Sequence, residues 1–483
     1  MLYALLILFP IAMAASSFVL RKQAGLAIVL GIVTIIIQAA LVWWLPIDRP
    51  VRLLGLTLVL APLVRLFLLA FFAIAATSLL VTYAVPHGEN YIPVALLIVG
   101  LIGTLLLLQE PFTIALLLVS AGVIAVLAIV DLPIGSPGLV GRAVIATALK
   151  YLVLMVMAGV MMYMAFVLIT IYAPGTLPGR VSPSRLTLAL MVVGFGLRLA
   201  IVPFHSWLPD LAEHAAPMVS LLVITVINTT SLLFLVQSLQ FFPIIVFEND
   251  RGMTILMIIG VITALFGAAL AVAQDGMRRA IGFLLVYNTG MILFGLATAS
   301  SDGLAGALFE AFSQLIATTL LFVSMALLER PDGRPGNVVR RDLLWRWPVA
   351  GVGLLGGGAA LLGLPPLSGF AGKLLLYEAA GRQGGIYLAL LLLATGMAAL
   401  ALTRLARERL FGAPEDLAQG ERIELLGQTE LDRPAERRLE AEPRGMALLT
   451  VVLLALCLAI GLYPQPLLEA IQDVVRGLSF VRV

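Results

Sequence analysis

Ionisable side chains inside long apolar runs are where this sequence could do chemistry. Arg198 stands in GFGLRLAIVPFHSWLP just ahead of Pro203, with His205 beyond the proline. Glu310 and Gln314 lie within Leu304–Leu328, four residues apart and so on one helix face. Lys373 follows Pro365 and Pro366 in GLLGGGAALLGLPPLSGFAGK. Lys150 precedes an apolar run to Ile171, and Glu110 stands at a break within Tyr91–Val130. A charge in an apolar span is costly and by default marks an ion path or a buried counter-charge. Lysine can be brought by burial to a pKa where it exchanges protons near neutrality, whereas arginine stays protonated. The chemistry these residues suit is therefore proton or ion transfer. His205 and His214 flank the first break, where an interfacial hydrogen bond is expected and proton gathering is the alternative.

The elements that must hold these groups are membrane helices. With 61% hydrophobic residues, 12% charged residues and a mean hydropathy of +1.09, the chain is not a soluble globule, which carries about twice that charge. Segments long enough to cross a hydrocarbon core of ~30 Å recur along it, roughly 14 by that criterion. The expected fold is an all-α polytopic membrane protein. The first segment, Leu2–Leu20, lacks a basic n-region and a cleavage site and reads as a retained helix. Arg65 reads as a packing or snorkelling arginine. Asp131–Arg142 is a Gly/Pro loop, Arg407–Arg444 a solvated charged loop, and Met446–Ile471 the closing helix. The glycines of GVGLLG, Gly351–Gly356, fit helix packing better than nucleotide binding, because no strand precedes them. Cys457 is the only cysteine, which excludes an internal disulfide and the cysteine set of an iron–sulfur cluster. A net charge of +3 gives no reason to expect nucleic acid. The basic loops, Arg21/Lys22, Arg278/Arg279, Arg334–Arg346 and the one after Arg404, fall on one side, which the positive-inside rule makes cytoplasmic. Both termini would then lie outside.

LRLAIVPFHSWLP and GLPPLSGFAGK form a pair of Pro-interrupted segments, the sequence pointer to an inverted-repeat transport fold. Together with TALKYLVL, IVPFHSWLPDLAEHAAP and AVAQDGMRRAIGFLLVYNTG, the second of them resembles the antiporter-like membrane subunits of complex I (NADH:quinone oxidoreductase), of membrane-bound hydrogenases and of Mrp-type sodium/proton antiporters. The resemblance runs from about Tyr91 to Leu410. It implies two inverted five-helix repeats, each with one Pro-broken helix, around a central polar axis. The expected divisions are 1–90, first helices; 91–240, first repeat; 252–411, second repeat; 412–444, polar cytoplasmic loop; and 445–483, C-terminal helix.

The carry-over by residue is uneven. Lys373 and Lys150 match family lysines directly, while Arg198 and Asn228 stand where the family has lysine. The fifth-helix glutamate falls near Val119 or Ser120, about nine residues after Glu110, and family histidines fall at Asn288 and Gln314. The resemblance thus implies a proton-translocating subunit whose ion path uses Lys373, Arg198, Glu310, Lys150, Glu110, Asn228, Gln314 and His205. The alternative is a structural subunit that has lost pumping, or the equivalent subunit of a hydrogenase or Mrp assembly. Expected partners are other membrane subunits of a redox-driven complex in a prokaryotic inner membrane, and the bilayer. No cofactor, metal or redox chemistry is expected in this chain.

Overall fold

The computed structural model describes residues 2–53, 55–85, 87–131, 140–171, 183–329, 344, 347–411 and 442–481. Most of the Gly/Pro loop, of the basic loop before Trp347 and of the charged loop after Phe411 lies outside the described residues.

Helices dominate, as the apolar runs dictate. In lipid a spanning segment must satisfy its backbone internally. The first half of the chain forms α1 (Leu2–Val19), α2 (Ala24–Trp44), α3 (Pro62–Thr82), α4 (Tyr91–Leu107), α5 (Pro111–Ile129), α6 (Arg142–Ile171), α7 (Pro183–Arg198), α8 (Trp207–His214) and α9 (Pro217–Phe241). The second half forms α10 (Asp250–Val272), α11 (Met277–Ala297), α12 (Ser301–Leu328), α13 (Pro348–Leu362), α14 (Gly369–Gln383), α15 (Gly385–Leu405), α16 (Arg444–Leu462) and α17 (Gln465–Arg476). Among the described residues, eleven helices are long and apolar enough to cross a membrane. The chain is a multi-pass membrane protein.

Two features depart from the sequence reading. A short antiparallel hairpin, β1 (Val51–Leu53) with β2 (Leu56–Leu58), precedes α3, its strands too short to register as an alternating pattern. The closing helix also stops at Leu462. Pro464 and Pro466 end it, and α17 restarts as an amphipathic helix that buries Ile471 and Val475.

Helices α9, α11 and α12 are buried along nearly their whole length and form the centre of the molecule. Peripheral helices turn Leu26, Ile36, Val153, Val160, Leu393 and Leu448 outward, an apolar surface that only lipid or another membrane chain covers. Inside, association rests on close packing and polar contacts, because lipid gives helices no hydrophobic reason to pair. The glycines of Gly351–Gly356 follow that rule: α13 packs closely on α12 and α16. Arg65 lies over the Trp43 ring at 4.7 Å and donates to the Trp43 carbonyl at 2.8 Å, a partly exposed cation at a helix start.

Both expected breaks are present. Between α7 and α8 the backbone is satisfied locally, with Ile201 N bonded to Gly196 O at 3.0 Å, and from outside, where Thr263 Oγ1 accepts from Val202 N at 3.2 Å. Trp207 Nε1 donates across the break to Leu197 O at 2.9 Å. Between α13 and α14, Leu364 N bonds Ala359 O at 3.0 Å, and Ser368 Oγ meets Ser313 Oγ of α12 at 2.8 Å.

Gly363 ends α13 in the left-handed region at φ +73, where a side chain is disfavoured. A carbon added there would meet Gly369 O at 3.1 Å and run into the Lys373 stem. Gly363→Ala is therefore expected to cost at least about 1–2 kcal/mol, seen as a lower thermal midpoint of the purified chain in detergent. An unchanged midpoint would show that the break tolerates a side chain.

Candidate ion-transfer site

Lys373 is the first residue to build from. It lies one turn into α14, and the break before it turns its side chain into the core, where it is 1% exposed. Its ammonium donates a short hydrogen bond to Asn288 Oδ1 of α11 and lies 3.4 Å from Glu310 Oε1 of α12. Glu310 is fully buried, and neither of its oxygens receives a hydrogen bond of normal geometry from the protein. The carboxylate is thus held by charge attraction across a contact longer than a good hydrogen bond. Such a pair has paid much of its desolvation cost without full compensation.

Around this pair the polar groups continue in two directions. Asn288 Nδ2 donates to Gln314 Oε1 at 2.9 Å, so the amides stand in line behind the ammonium. Beyond Gln314 is a cavity of about 10 Å³ that Asn228 and Thr229 of α9 also line. That volume suits about one water, and Asn228 Oδ1, buried without a protein donor, faces the same region. In the other direction, Lys373 Nζ lies 4.6 Å from the Tyr287 ring centre. The Tyr287 hydroxyl is 2.8 Å from Thr395 Oγ1, itself 2.6 Å from the Tyr377 hydroxyl. These three hydroxyls, on α11, α15 and α14, escaped the sequence reading. Tyr377, four residues after Lys373 and so on its face of α14, was the available signal.

The first half is arranged differently. Arg198 closes α7, is 1% exposed, and donates from Nε to Ser231 Oγ at 2.8 Å and from Nη2 to Leu118 O at 2.7 Å. Its contacts are neutral. Glu110 stands at the start of α5, where its side chain accepts from Thr113 Oγ1 at 2.7 Å and caps no backbone N–H, and it does not join Arg198.

Lys150, His205 and His214 stand apart from the buried pair. Lys150 is partly exposed and bonds Asp210 of α8 at 2.7 Å, while Arg279 of α11 reaches Asp210 at 3.6 Å and Glu213 at 3.1 Å. Arg278 adds bonds to the Ala215 carbonyl at 2.8 Å and to Glu329. The network ties α6, α8 and α11 at one end of the bundle. His205 packs against the Phe266 and Phe283 rings, centroids 5.5 and 6.1 Å away. His214 Nδ1 lies 2.9 Å from Asp210 O, which agrees with the hydrogen-bonding role expected of it. No group of three or more histidine, cysteine or carboxylate side chains placed to hold a metal occurs among the described residues.

Buried ionisable groups on broken helices within a polytopic bundle define the class: a multi-pass membrane protein with charges held in its core. The family model described as NADH:quinone oxidoreductase/Mrp antiporter, TM matches residues 143–398, more than half of the chain, and the chain belongs to that family. A curated relative, NADH-quinone oxidoreductase subunit N 2 of Solidesulfovibrio magneticus, is 29% identical over 283 residues, 58% of this chain and 55% of that protein. The chain spans about half the length of the curated relatives it matches. Among solved structures, a chain of the Mrp complex of Dietzia sp. superposes with TM-score 0.82 at 19% identity, covering 99% of this chain and 97% of that one. A chain of respiratory complex I from Thermus thermophilus gives 0.73 at 22% identity, covering 98% and 99%. At these identities the superpositions establish the fold, and both neighbours are parts of multi-subunit membrane complexes.

The buried pair makes an energetic prediction. Glu310→Ala strands the ammonium and is expected to cost about 3–5 kcal/mol, whereas Glu310→Leu combined with Lys373→Met is expected to recover most of that loss. Thermal unfolding in detergent reads both. A double variant no more stable than Glu310→Ala would show that the two charges do not compensate each other.

Proposed function

We propose that this chain is a proton-translocating, antiporter-like membrane subunit of a complex I-type assembly, in which Lys373 and Glu310 are the groups that exchange protons. The single observation behind this reading is their pairing: both charges are buried, 3.4 Å apart. A proton moving to Glu310 discharges it and releases the lysine. Asn288, Gln314 and the small cavity lead toward the first half, and Tyr287, Thr395 and Tyr377 form a hydroxyl chain on the other side.

In this reading the shorter apolar helix α4 and the broken pairs α7/α8 and α13/α14 are further crossings, about 14 in all. Residues 91–240 and 252–411 are inverted five-helix repeats, and the Lys150–Asp210–Arg279 network faces the cytoplasm. Redox chemistry belongs to partner subunits in a prokaryotic plasma membrane. An Mrp-type or hydrogenase-type assembly would use the same site.

A second reading, a structural subunit without pumping, is favoured by Arg198. Its contacts are a carbonyl and a hydroxyl, with no carboxylate among them, and Asn228 replaces a titratable group in the neighbouring helix. Proton flux into vesicles carrying the purified assembly distinguishes the two. Lys373→Ala is expected to abolish the share of flux that depends on this chain at unchanged redox turnover and equal subunit content. Unchanged flux would remove Lys373 from the path and leave the structural role.

A further inference from the structure

A cavity of about 680 Å³ lies between α1, α4 and α5, and none of its lining residues belongs to the Lys373–Glu310 site. Its size is within the range of about 300–1,000 Å³ usual for sites that hold small molecules. The lining runs from Ile11 to Phe18 on α1, from Asn90 to Leu97 on α4, and from Ile124 to Asp131 at the end of α5. Seven residues of helix cover roughly 10 Å, so the cavity is a slot of about that depth. Its walls are apolar apart from Asn90 and Asp131, which stand together at the Phe18 end.

That polar mouth carries one charge of each sign. Asp131 accepts from Asn90 N at 2.7 Å and from Asn90 Nδ2 at 3.2 Å, which fixes its carboxylate in place. Gly88 leaves space for it, since a carbon added there would collide with the carboxylate. Among the described residues, His87 is the basic group that acts on Asp131, and no lysine or arginine pairs with it. Residues 132–139, which follow it, contain no charged side chain. On the other end of the same amide, Arg21 Nη1 lies 3.5 Å from Asn90 Oδ1, with the guanidinium 4.2 Å from the Phe18 ring centre and Nε 4.0 Å from Glu89. These contacts are long for a cation. Carboxylate and guanidinium therefore stand one side-chain amide apart, each with bonding capacity left.

The occupant must match both ends of the slot. The apolar depth, in a helix bundle surrounded by lipid, suits an acyl chain. An ionised carboxylate only accepts hydrogen bonds and a guanidinium only donates them. The headgroup must then bring a cationic N–H donor to Asp131 and an anionic oxygen to Arg21. A phospholipid with a primary ammonium carries both, a short linker apart. A purely anionic headgroup would set negative charge against Asp131, and a trimethylated one has no N–H to offer it.

We propose that the slot between α1, α4 and α5 binds one phospholipid of the phosphatidylethanolamine class, its phosphate on Arg21, its ammonium on Asp131 and an acyl chain between the helices. The lipid would tie α1 to α4 and α5. The site stands whether or not the chain moves protons.

Native mass spectrometry of the purified full-length chain tests this, by titration with phosphatidylethanolamine, phosphatidylcholine and phosphatidylglycerol of identical acyl chains. The first phosphatidylethanolamine is expected to bind about tenfold more tightly than either of the others, the worth of one hydrogen bond to a charged group. Asp131→Asn is expected to bring it level with phosphatidylcholine. Ala15 lines the slot at an exposed position of α1. Ala15→Phe is expected to weaken the first binding step about tenfold while the unfolding midpoint without added lipid is unchanged, so that misfolding is not mistaken for loss of the site. Equal affinity of the wild type for the three lipids, tighter binding of phosphatidylglycerol, or a wild-type preference in either variant overturns the proposal. So does loss of the preference in the assembled complex, the outcome expected if a helix of another subunit fills the slot.

Discussion

A lysine and a glutamate buried together, 3.4 Å apart, set the constraint that the rest of the structure serves. Neither ion is tolerable by itself in this environment. Their meeting requires α14 to start inside the bundle, which in turn requires the Pro365–Pro366 break and its left-handed Gly363. It also requires α11 and α12 to lie at the centre, buried along their length, so that Asn288 and Glu310 approach one ammonium from two helices. The Ser313–Ser368 contact fixes the break against α12 at that level.

The two halves use similar breaks for different electrostatics. Beyond the second break stands Lys373, paired with a buried carboxylate. Before the first stands Arg198, which keeps its charge and contacts a carbonyl and a hydroxyl. Between them Asn228, the small cavity and Gln314 give a polar seam that can orient water but cannot store a proton as charge. A bundle built this way holds a cation paired with a carboxylate in one half and a cation bonded to a carbonyl and a hydroxyl in the other, rather than two equivalent centres.

The positions of both breaks, the split of Tyr91–Val130 and the shared face of Glu310 and Gln314 were legible in the sequence because each is a local signal. Proline removes a donor, and a four-residue spacing fixes a helix face. What was not legible is what comes from separate helices. The partner of Glu310 could not be named, since nothing local links α12 to α14. Asn288 entered the reading only as a site of substitution, yet it holds Lys373 directly. Glu110 looked like a candidate because it is acidic and near a break, but it is a helix-start residue bonded to Thr113. The family model, matching residues 143–398, covers the stretch in which most of the sequence motifs lie. The β1–β2 hairpin left no pattern long enough to read, and the stop at Pro464 was overlooked inside an apolar run.

The account rests on Glu310 changing protonation while it stays beside Lys373. Infrared difference spectroscopy of the assembled complex during turnover, with its glutamates labelled in the carboxyl carbon, observes this directly. The account predicts a transient protonated-carboxyl band that shifts with the label and is missing in Glu310→Gln. A band equally strong in Glu310→Gln, or none in the wild type while protons are being pumped, would contradict it.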